Sequence, residues 1–459
     1  MYPEYFEQRE RALLGPRFDE LFAAPAQPAR GLTANGLRCG REWLAQRLAA
    51  PLTPSPFCPA GLLLQDAQLR LGRHAYHHAG AFYMQEPSAS APAALLGVQP
   101  GHKVLDLCAA PGGKSSQLAA ALAGQGLLVA NEYDPARAEI LKSNLERMGA
   151  ANAVITTGDT ARIAAALPGF FDRVLVDAPC SGEGMFRKEP QAVSQHSPAL
   201  VAQCAALGAQ ILENAAAALA PGGLLLYSTC TFAPQEDEEQ VGRFLARHPE
   251  FCLLPIEAEF GSPGEQNRCG AYPFAAQHTR RIWPGQGGEG HFMALLQKSA
   301  AAQPQQSAAG KAKKPPRGQK AAKPCAEWQA FSGRYFPRLA RLPVLQAGDF
   351  LLLPPPLWPA PAGRLDLLRC GTALGRVQKN RFEPAHHLFM AFGPACENTE
   401  RLTLADPRAA AWLRGEEIAA ATAQNGWCAV LVDGLPLGAG KVSGGRVKNH
   451  YPKALRNLK

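Results

Sequence analysis

Residues 104–122 read VLDLCAAPGGKSSQLAAAL. An aliphatic run, a glycine-containing turn and an Ala- and Leu-rich run follow one another, which is the order strand, turn, helix. Gly112 and Gly113 allow a close backbone approach to a ligand, and Ser115 or Ser116 can cap the helix whose N-terminus faces that ligand. The pattern continues through LLVANEY, ARAEILKSNLERMG, AVITTGD, FDRVLVDAP, LVAQCAALGAQILENAAAALAPGG and LLLYSTC. This alternation predicts right-handed βαβ units on a parallel sheet, an α/β, Rossmann-like core over residues 101–298.

The ends of these strands carry acids. The second ends in Glu132, the third run ends in Asp159 and the fourth in Asp177. At the carboxyl edge of such a sheet an acid reaches the ribose hydroxyls of a bound nucleoside. One acid at a strand end is as often a helix cap; a series on one rim reads as a site. GxGxxG is absent and no Walker lysine-threonine pair follows, so S-adenosylmethionine fits better than a dinucleotide. The glycine turn would take its methionine portion, Glu132 the ribose and Asp159 the adenine edge. A methyltransferase is the leading class.

Two cysteines lie just past apolar strands on that rim, Cys180 in DAPCSGEGMF and Cys230 in YSTCTF. Cytosine carbon 5 is a poor nucleophile until a thiolate adds to carbon 6 and makes it enamine-like. The cycle also needs an acid near ring nitrogen 3 and a base for the carbon 5 proton. Asp177, Cys180 and Cys230 together supply such groups. For Cys39, Cys204, Cys252, Cys269, Cys325, Cys370, Cys396 and Cys428, plain burial is the expectation. Burial is also the expectation for Cys108, which would meet the cofactor by packing or through its backbone.

The 459 residues exceed one ordinary core, and the composition shift at 299–324 marks a basic linker, with six basic residues and no acidic one. Residues 1–100 read as a small α+β domain, with helices expected near 3–14 and 40–49 and a strand in RGLTANGLR. Residues 325–459 read as short β-rich modules, and the long linker predicts that they have no fixed placement. Net charge is +9, yet 325–459 alone carries 17 basic against 10 acidic residues. A polyanion such as nucleic acid is the partner this suggests. The last stretch, 441–459, interleaves His450 and Tyr451 with six basic residues and could hold phosphates and stack a base. Twelve scattered cysteines without a CxxC pair read as reduced thiols, and no metal site is expected. No run approaches the roughly eighteen apolar residues of a membrane span, and the start lacks a secretory signal. A cytoplasmic protein is expected, and a monomer is assumed.

LDLCAAPGGKSSQLA, NEYDPARAEILKSNLERMG, VLVDAPCSGEGMFRK and LLYSTCTFAPQEDEEQV together resemble the ordered motif set of the Sun/Nop family of RNA cytosine-5 methyltransferases. QEPSASAPAALLGVQPG before them and RRIWPGQGGEGHFMALLQK after them extend the likeness. The resemblance implies that Cys230 is the nucleophile, that Cys180 assists product release and that Asp177 contacts the cytosine. It implies a cofactor pocket from Cys108, Ala109, Ala110, Pro111, Gly112, Gly113 and Lys114 with Glu132, Arg137, Asp159 and Asp177. Lys114 would lie near the reacting groups and favour a thiolate. GTALGRVQKNRFEPAHHLFMAF and VDGLPLGAGKVSGGRVKNHYPKALR resemble the PUA-like RNA-binding region of bacterial RsmF-type enzymes, which act on cytosine in the decoding region of 16S ribosomal RNA. The implied partner is therefore 16S ribosomal RNA or the small subunit. Asn35 is followed by Gly where the family has an Arg-x-Asn-Thr-like element, which counts against an RNA contact there. The same chemistry on transfer RNA or another ribosomal position, and an inactive RNA-binding assembly factor, stay open. Retention of both cysteines and Asp177 disfavours the inactive factor.

Overall fold

The structure is a computed structural model that describes residues 2–25, 27–66, 68–302, 320–322, 325–359, 365–379 and 381–457. Most of the expected linker, 299–324, lies outside the described residues. No helix among them is long and apolar enough to cross a membrane.

An N-terminal antiparallel sheet of β1 (Gly31–Ala34), β2 (Leu52–Pro54), β3 (Gly61–Leu64) and β4 (Phe82–Gln85) runs in the order β2-β3-β1-β4. The central sheet then begins with β5 (Lys103–Asp106), β6 (Leu127–Glu132), β7 (Ala153–Thr157), β8 (Phe171–Asp177) and β9 (Leu219–Thr229). These five are parallel, in the spatial order β9-β8-β5-β6-β7. All six residues of β6 are buried, as a strand covered by helices on both faces requires.

The helix Pro135–Met148 shows how local sequence sets these units. Asp134 accepts hydrogen bonds from the backbone N–H groups of Ala136 and Arg137 at 2.7 and 3.0 Å, and Pro135 occupies the first turn. Ala138, Leu141, Leu145 and Met148 form its buried face, and Gly149 ends it at a φ of 76°. Fully burying each large aliphatic side chain on that face contributes about 1.5–3 kcal/mol.

The sheet is mixed, where an all-parallel one was expected. Its far side is β10 (Phe251–Leu254), β11 (Ser262–Pro263), β12 (Arg280–Ile282) and β13 (His291–Lys298), all antiparallel, with β13 paired to β9. On the other edge a strand from the C-terminal third, Asp366–Cys370, pairs antiparallel with β7. LDLLRCGTALGRV is thus two strands in two sheets, parted at Gly371, whose φ is 67° and where any added Cβ would collide with the Leu353 carbonyl oxygen.

The last sheet, which includes Thr399–Leu402, Gly426–Val432 and Leu435–Ser443, has a fixed place, against the expectation from the linker. Leu32, Leu62, Tyr76 and Phe82 of the N-terminal region share one core with Trp412, Val430, Leu437 and Tyr451. Tyr451 is 2% exposed and hydrogen-bonded through its hydroxyl to His78 Nδ1 at 2.7 Å, so it is an interdomain anchor and cannot stack a base. His450 is exposed, its ring 4.6 Å from that of Trp427. Asn35 is buried, with its amide donating to the Gly80 and Met148 carbonyls at 2.7 and 2.8 Å, so it ties β1 to the central domain. The helices Glu4–Leu14 and Arg17–Leu21 leave the N-terminal sheet and pack on Phe186, Phe232 and Trp283 of the central domain.

Candidate active site

Parallel strands put their carboxyl ends on one edge, and a cleft of about 530 Å³ opens there. Of the expected cofactor set it is lined by Cys108, Ala110, Glu132, Arg137, Asp159 and Asp177, with Cys180 and Cys230 at one side. Ala109, Pro111, Gly113 and Lys114 instead line a smaller cleft of about 250 Å³, walled by Tyr83, Gln85 and Glu86 from the N-terminal sheet and its flank. Cys108, Ala110 and Asp177 line both clefts.

Gly112 lines neither cleft. It is the residue before the helix Gly113–Ala121, with a φ of 111°, and a Cβ there would meet Leu141 Cδ1 at 3.2 Å. At Gly113, which lines the smaller cleft, a Cβ would meet Tyr83 Cε1 at 3.1 Å, so both glycines also serve close packing. The serines are not caps either: they sit inside the helix, Ser115 Oγ donating to Asp106 Oδ2 and Ser116 Oγ to the Gly112 carbonyl, each at 2.6 Å.

Glu132 is buried at the end of β6. Its carboxylate accepts from the backbone N–H of Ala110 at 3.3 Å and of Asp134 at 3.1 Å. Arg137 donates to the Ala110 carbonyl at 3.0 Å and lies 3.6 Å from Glu132 Oε1. Asp159 lies two residues past β7 and caps the next helix through Ala161 N at 2.8 Å, while still facing the cleft. Asn131, not anticipated, spans the floor by donating to the Leu107 and Gly158 carbonyls at 3.3 and 3.1 Å.

Asp177 is the hub. Lys114 Nζ donates to its Oδ2 at 2.7 Å, Ser228 Oγ to its Oδ1 at 2.8 Å, and His291 Nε2 lies 3.6 Å from Oδ1. Burial alone would raise its pKa, but the Lys114 ammonium and His291 outweigh burial and hold the carboxyl well below the usual range. Asp177 is therefore ionised. Asp106 behaves oppositely: burial, with Asp177 nearby, pushes it up to about 7. Neither Asp106 nor His291 stood out in the sequence, although Asp106 is the acid that ends the first strand.

Cys180 Sγ and Cys230 Sγ are 3.4 Å apart. Hydrogen bonds between their two loops set this spacing: Gly184 N donates to the Cys230 carbonyl at 2.8 Å, Ser181 Oγ contacts Thr231 Oγ1 at 2.7 Å, and Phe232 N donates to Glu183 Oε2 at 3.0 Å. Glu183 is in turn held by Arg9, through 2.9 and 2.7 Å contacts, and by His196 at 2.8 Å. Its carboxyl, despite burial, is pulled down to about 2 by His196 and Arg9. The contact with the Cys230 sulfur, and burial after it, push the Cys180 thiol well up. Burial does the same to Cys108. Among the cysteines expected to be buried, Cys252 is exposed and Cys39, Cys108, Cys204 and Cys325 are only partly buried.

The cleft fits a nucleoside carrying a sulfonium. A buried carboxylate matches ribose hydroxyls, Leu107 and Ile211 give apolar walls, and the volume is that of a cofactor site. The sheet order, the acid ending β6 and this cleft define an S-adenosylmethionine-dependent methyltransferase of Rossmann-like fold. Four family models match in series: the N-terminal domain of 16S rRNA methyltransferase RsmF over 2–87, 16S rRNA methyltransferase RsmB/F over 93–297, the RsmF first C-terminal domain over 330–392 and the methyltransferase RsmF PUA domain over 399–457. The chain belongs to the RsmF family of methyltransferases. It is 33% identical to ribosomal RNA small subunit methyltransferase F of Klebsiella pneumoniae (strain 342), across 99% of this chain and 96% of that one. The protein of the same name from Serratia proteamaculans (strain 568) is also 33% identical over the same shares. A solved methyltransferase homolog protein from Pyrococcus horikoshii is 28% identical with a TM-score of 0.58, covering 65% of this chain and 95% of its own.

Proposed function

We propose that this methyltransferase acts on carbon 5 of cytosine in 16S ribosomal RNA through a covalent cysteine adduct. The observation that supports it most is the pair of thiols, 3.4 Å apart, on the cleft edge beside Asp177. In this reading the Cys230 sulfur bonds to carbon 6, and electron density moves onto carbon 5 and nitrogen 3. Lys114, 2.7 Å from Asp177, holds that carboxylate in place beside the thiols. The carboxylate of Asp177 accepts from the exocyclic amine and fixes the ring. S-adenosylmethionine, when bound, supplies the methyl group; Glu132 holds its ribose, Arg137 steadies Glu132, and Asp159 faces the adenine edge.

After transfer, carbon 5 gives its proton to a base. The electrons of that bond restore the ring double bond as the carbon 6–sulfur bond breaks. Cys180 assists this breakdown from beside the Cys230 sulfur. The PUA-like region and the basic surplus of residues 325–459 hold the RNA backbone. Full-length protein incubated with labelled cofactor and ribosomal RNA from a strain lacking the gene should place the label on cytosine carbon 5. Bisulfite sequencing of that RNA then gives the position. Label on a base nitrogen or a ribose oxygen would overturn the chemistry, and label only in transfer RNA would overturn the address.

A further inference from the structure

We propose that Trp427, His450, Lys441 and Lys448 form a platform on the last sheet that takes an unpaired nucleotide of the RNA, its base on the rings and its phosphates on the two ammonium groups. This rests on the reading that the enzyme acts on RNA, and it adds where the C-terminal region meets that RNA and in what form.

The backbone sets the platform. Gly426–Val432 pairs antiparallel with Leu435–Ser443, which pairs antiparallel with Arg446–Asn449. In that register Trp427 stands opposite Lys441, and Lys441 opposite Lys448. Directly opposed residues share a face, so the three make one row across three strands. Their sequence neighbours Cys428, Val442 and Val447 are buried in the core, and this alternation keeps the row on the outer face. His450 follows the third strand and is exposed, its ring tilted 59° to the indole. The Lys441 ammonium lies 5.6 Å from the indole centroid. Trp427 is held from behind: the Phe389 ring is 6.5 Å away, and the backbone N–H of Trp427 donates to Tyr335 Oη at 3.2 Å. The indole is thus fixed before a ligand arrives, and little further ordering has to be met on binding.

The charges point to a polyanion. Like charges directly opposite on a sheet destabilise it. Lys441 and Lys448 are such a pair, both exposed, and among the described residues neither has an ion-pair partner. Arg446, on the same strand as Lys448, is paired with Glu417, and Glu383, whose charge reaches His450, accepts from Gln378. Lysines that guard a sheet against aggregation sit on an open edge, yet Lys441 is on a strand with neighbours on both sides. A phosphate between the two ammonium groups removes their repulsion and releases counterions. Bases in a duplex stack on one another and leave no face for a ring, so the partner is single-stranded, and any base serves.

The test measures binding of the full chain to a fluorescein-labelled oligoribonucleotide of mixed sequence, as single strand and as duplex, over a range of salt. His450→Ala should weaken single-strand binding roughly 5- to 150-fold, the loss that one unstacked base gives, and leave duplex binding as it was. His450→Tyr keeps a ring and should restore the affinity. Lys441→Gln and Lys448→Gln should each flatten the dependence of log affinity on log salt by about 0.7. Equal single-strand affinity in His450→Ala, or unchanged salt slopes in both lysine variants, would overturn the proposal. So would variants that lose the assembled small subunit while binding naked RNA as the native chain does, because the row would then meet an acidic protein surface. An unchanged cofactor Kd shows that each variant is folded; should one not fold, ultraviolet crosslinking of the native chain to the single strand decides. Crosslinked peptides containing Trp427 or His450 uphold the platform, and crosslinks that all lie elsewhere defeat it. Product identity is read separately by mass spectrometry of the nucleosides. A native chain that makes no 5-methylcytosine in ribosomal RNA defeats the parent reading, whereas 5-methylcytosine with unaltered single-strand binding in the variants defeats this one alone.

Discussion

Fifty residues of chain separate Cys180 from Cys230, and their sulfur atoms lie 3.4 Å apart. The two loops follow adjacent parallel strands, β8 and β9, in a register that sets Asp177 opposite Ser228. Whatever molecule meets one thiol on this cleft edge meets the other.

This proximity divides a covalent cycle into separable steps. Cys230→Ala should abolish both methyl transfer and the denaturation-resistant protein–RNA adduct. Cys180→Ala should still attack but release slowly, so adduct accumulates, as gel electrophoresis would show. Adduct accumulating with Cys230→Ala instead would reverse the two roles.

The same spacing predicts sensitivity to oxidants. A diazene oxidant such as diamide takes two electrons and two protons from the thiols, closing an S–S bond of about 2.05 Å after a shift of little more than an ångström. Activity should be lost with one disulfide between these cysteines and return with dithiothreitol. Peptide mapping that finds both thiols still free after treatment would refute this.

Arg9 and Glu183 tie the first helix to the cysteine loops. Arg9→Ala leaves Glu183 buried with only His196 and a backbone amide, and should cost about 3–5 kcal/mol of stability. Urea denaturation measures it. A loss under about 1 kcal/mol would mean that the pair is marginal.

Glu132→Gln keeps the size of the side chain but removes the charge that would meet the ribose hydroxyls. A charged hydrogen bond of this kind is worth roughly 1.5–3 kcal/mol, so S-adenosylmethionine affinity should drop about 10- to 150-fold by calorimetry. Equal affinity in the variant would remove Glu132 from the cofactor site.

Asp106 gives a pH signature. Its folded-state pKa, about 7 through burial, lies above the unfolded value, so the proton favours the native state below about pH 4 and that stabilisation fades as pH rises towards 7. Asp106→Asn carries no such penalty. The difference in melting temperature, variant minus wild type, should therefore increase from pH 5 to pH 8, and a constant difference would contradict the burial of an ionisable acid there.

Much of this was legible in the sequence, and the reason is periodicity. Apolar runs ending in Glu132, Asp177, Cys180 and Cys230 fix both the strands and the edge on which their chemistry meets. What stayed illegible depends on distance along the chain. Arg9 reaches Glu183 across 174 residues, and Tyr451 reaches His78 across 373. No local pattern shows that an aromatic ring in a basic tail faces inward, or that His291 points at an acid on a strand two places away. A turn that a ligand uses and a turn that a leucine fills have the same sequence, so the contact of Gly112 with Leu141 is not readable from the chain either.

The strand Asp366–Cys370 closes the β7 edge of a sheet whose other strands all end by Lys298. In synthesis from the N-terminus, the methyltransferase segment is complete before the outer edge of β7 has its native neighbour, and at least 68 further residues must be made before that strand exists. An exposed parallel-sheet edge is a template for wrong partners. The native cover of that edge is thus encoded beyond the methyltransferase segment, in the C-terminal third of the chain.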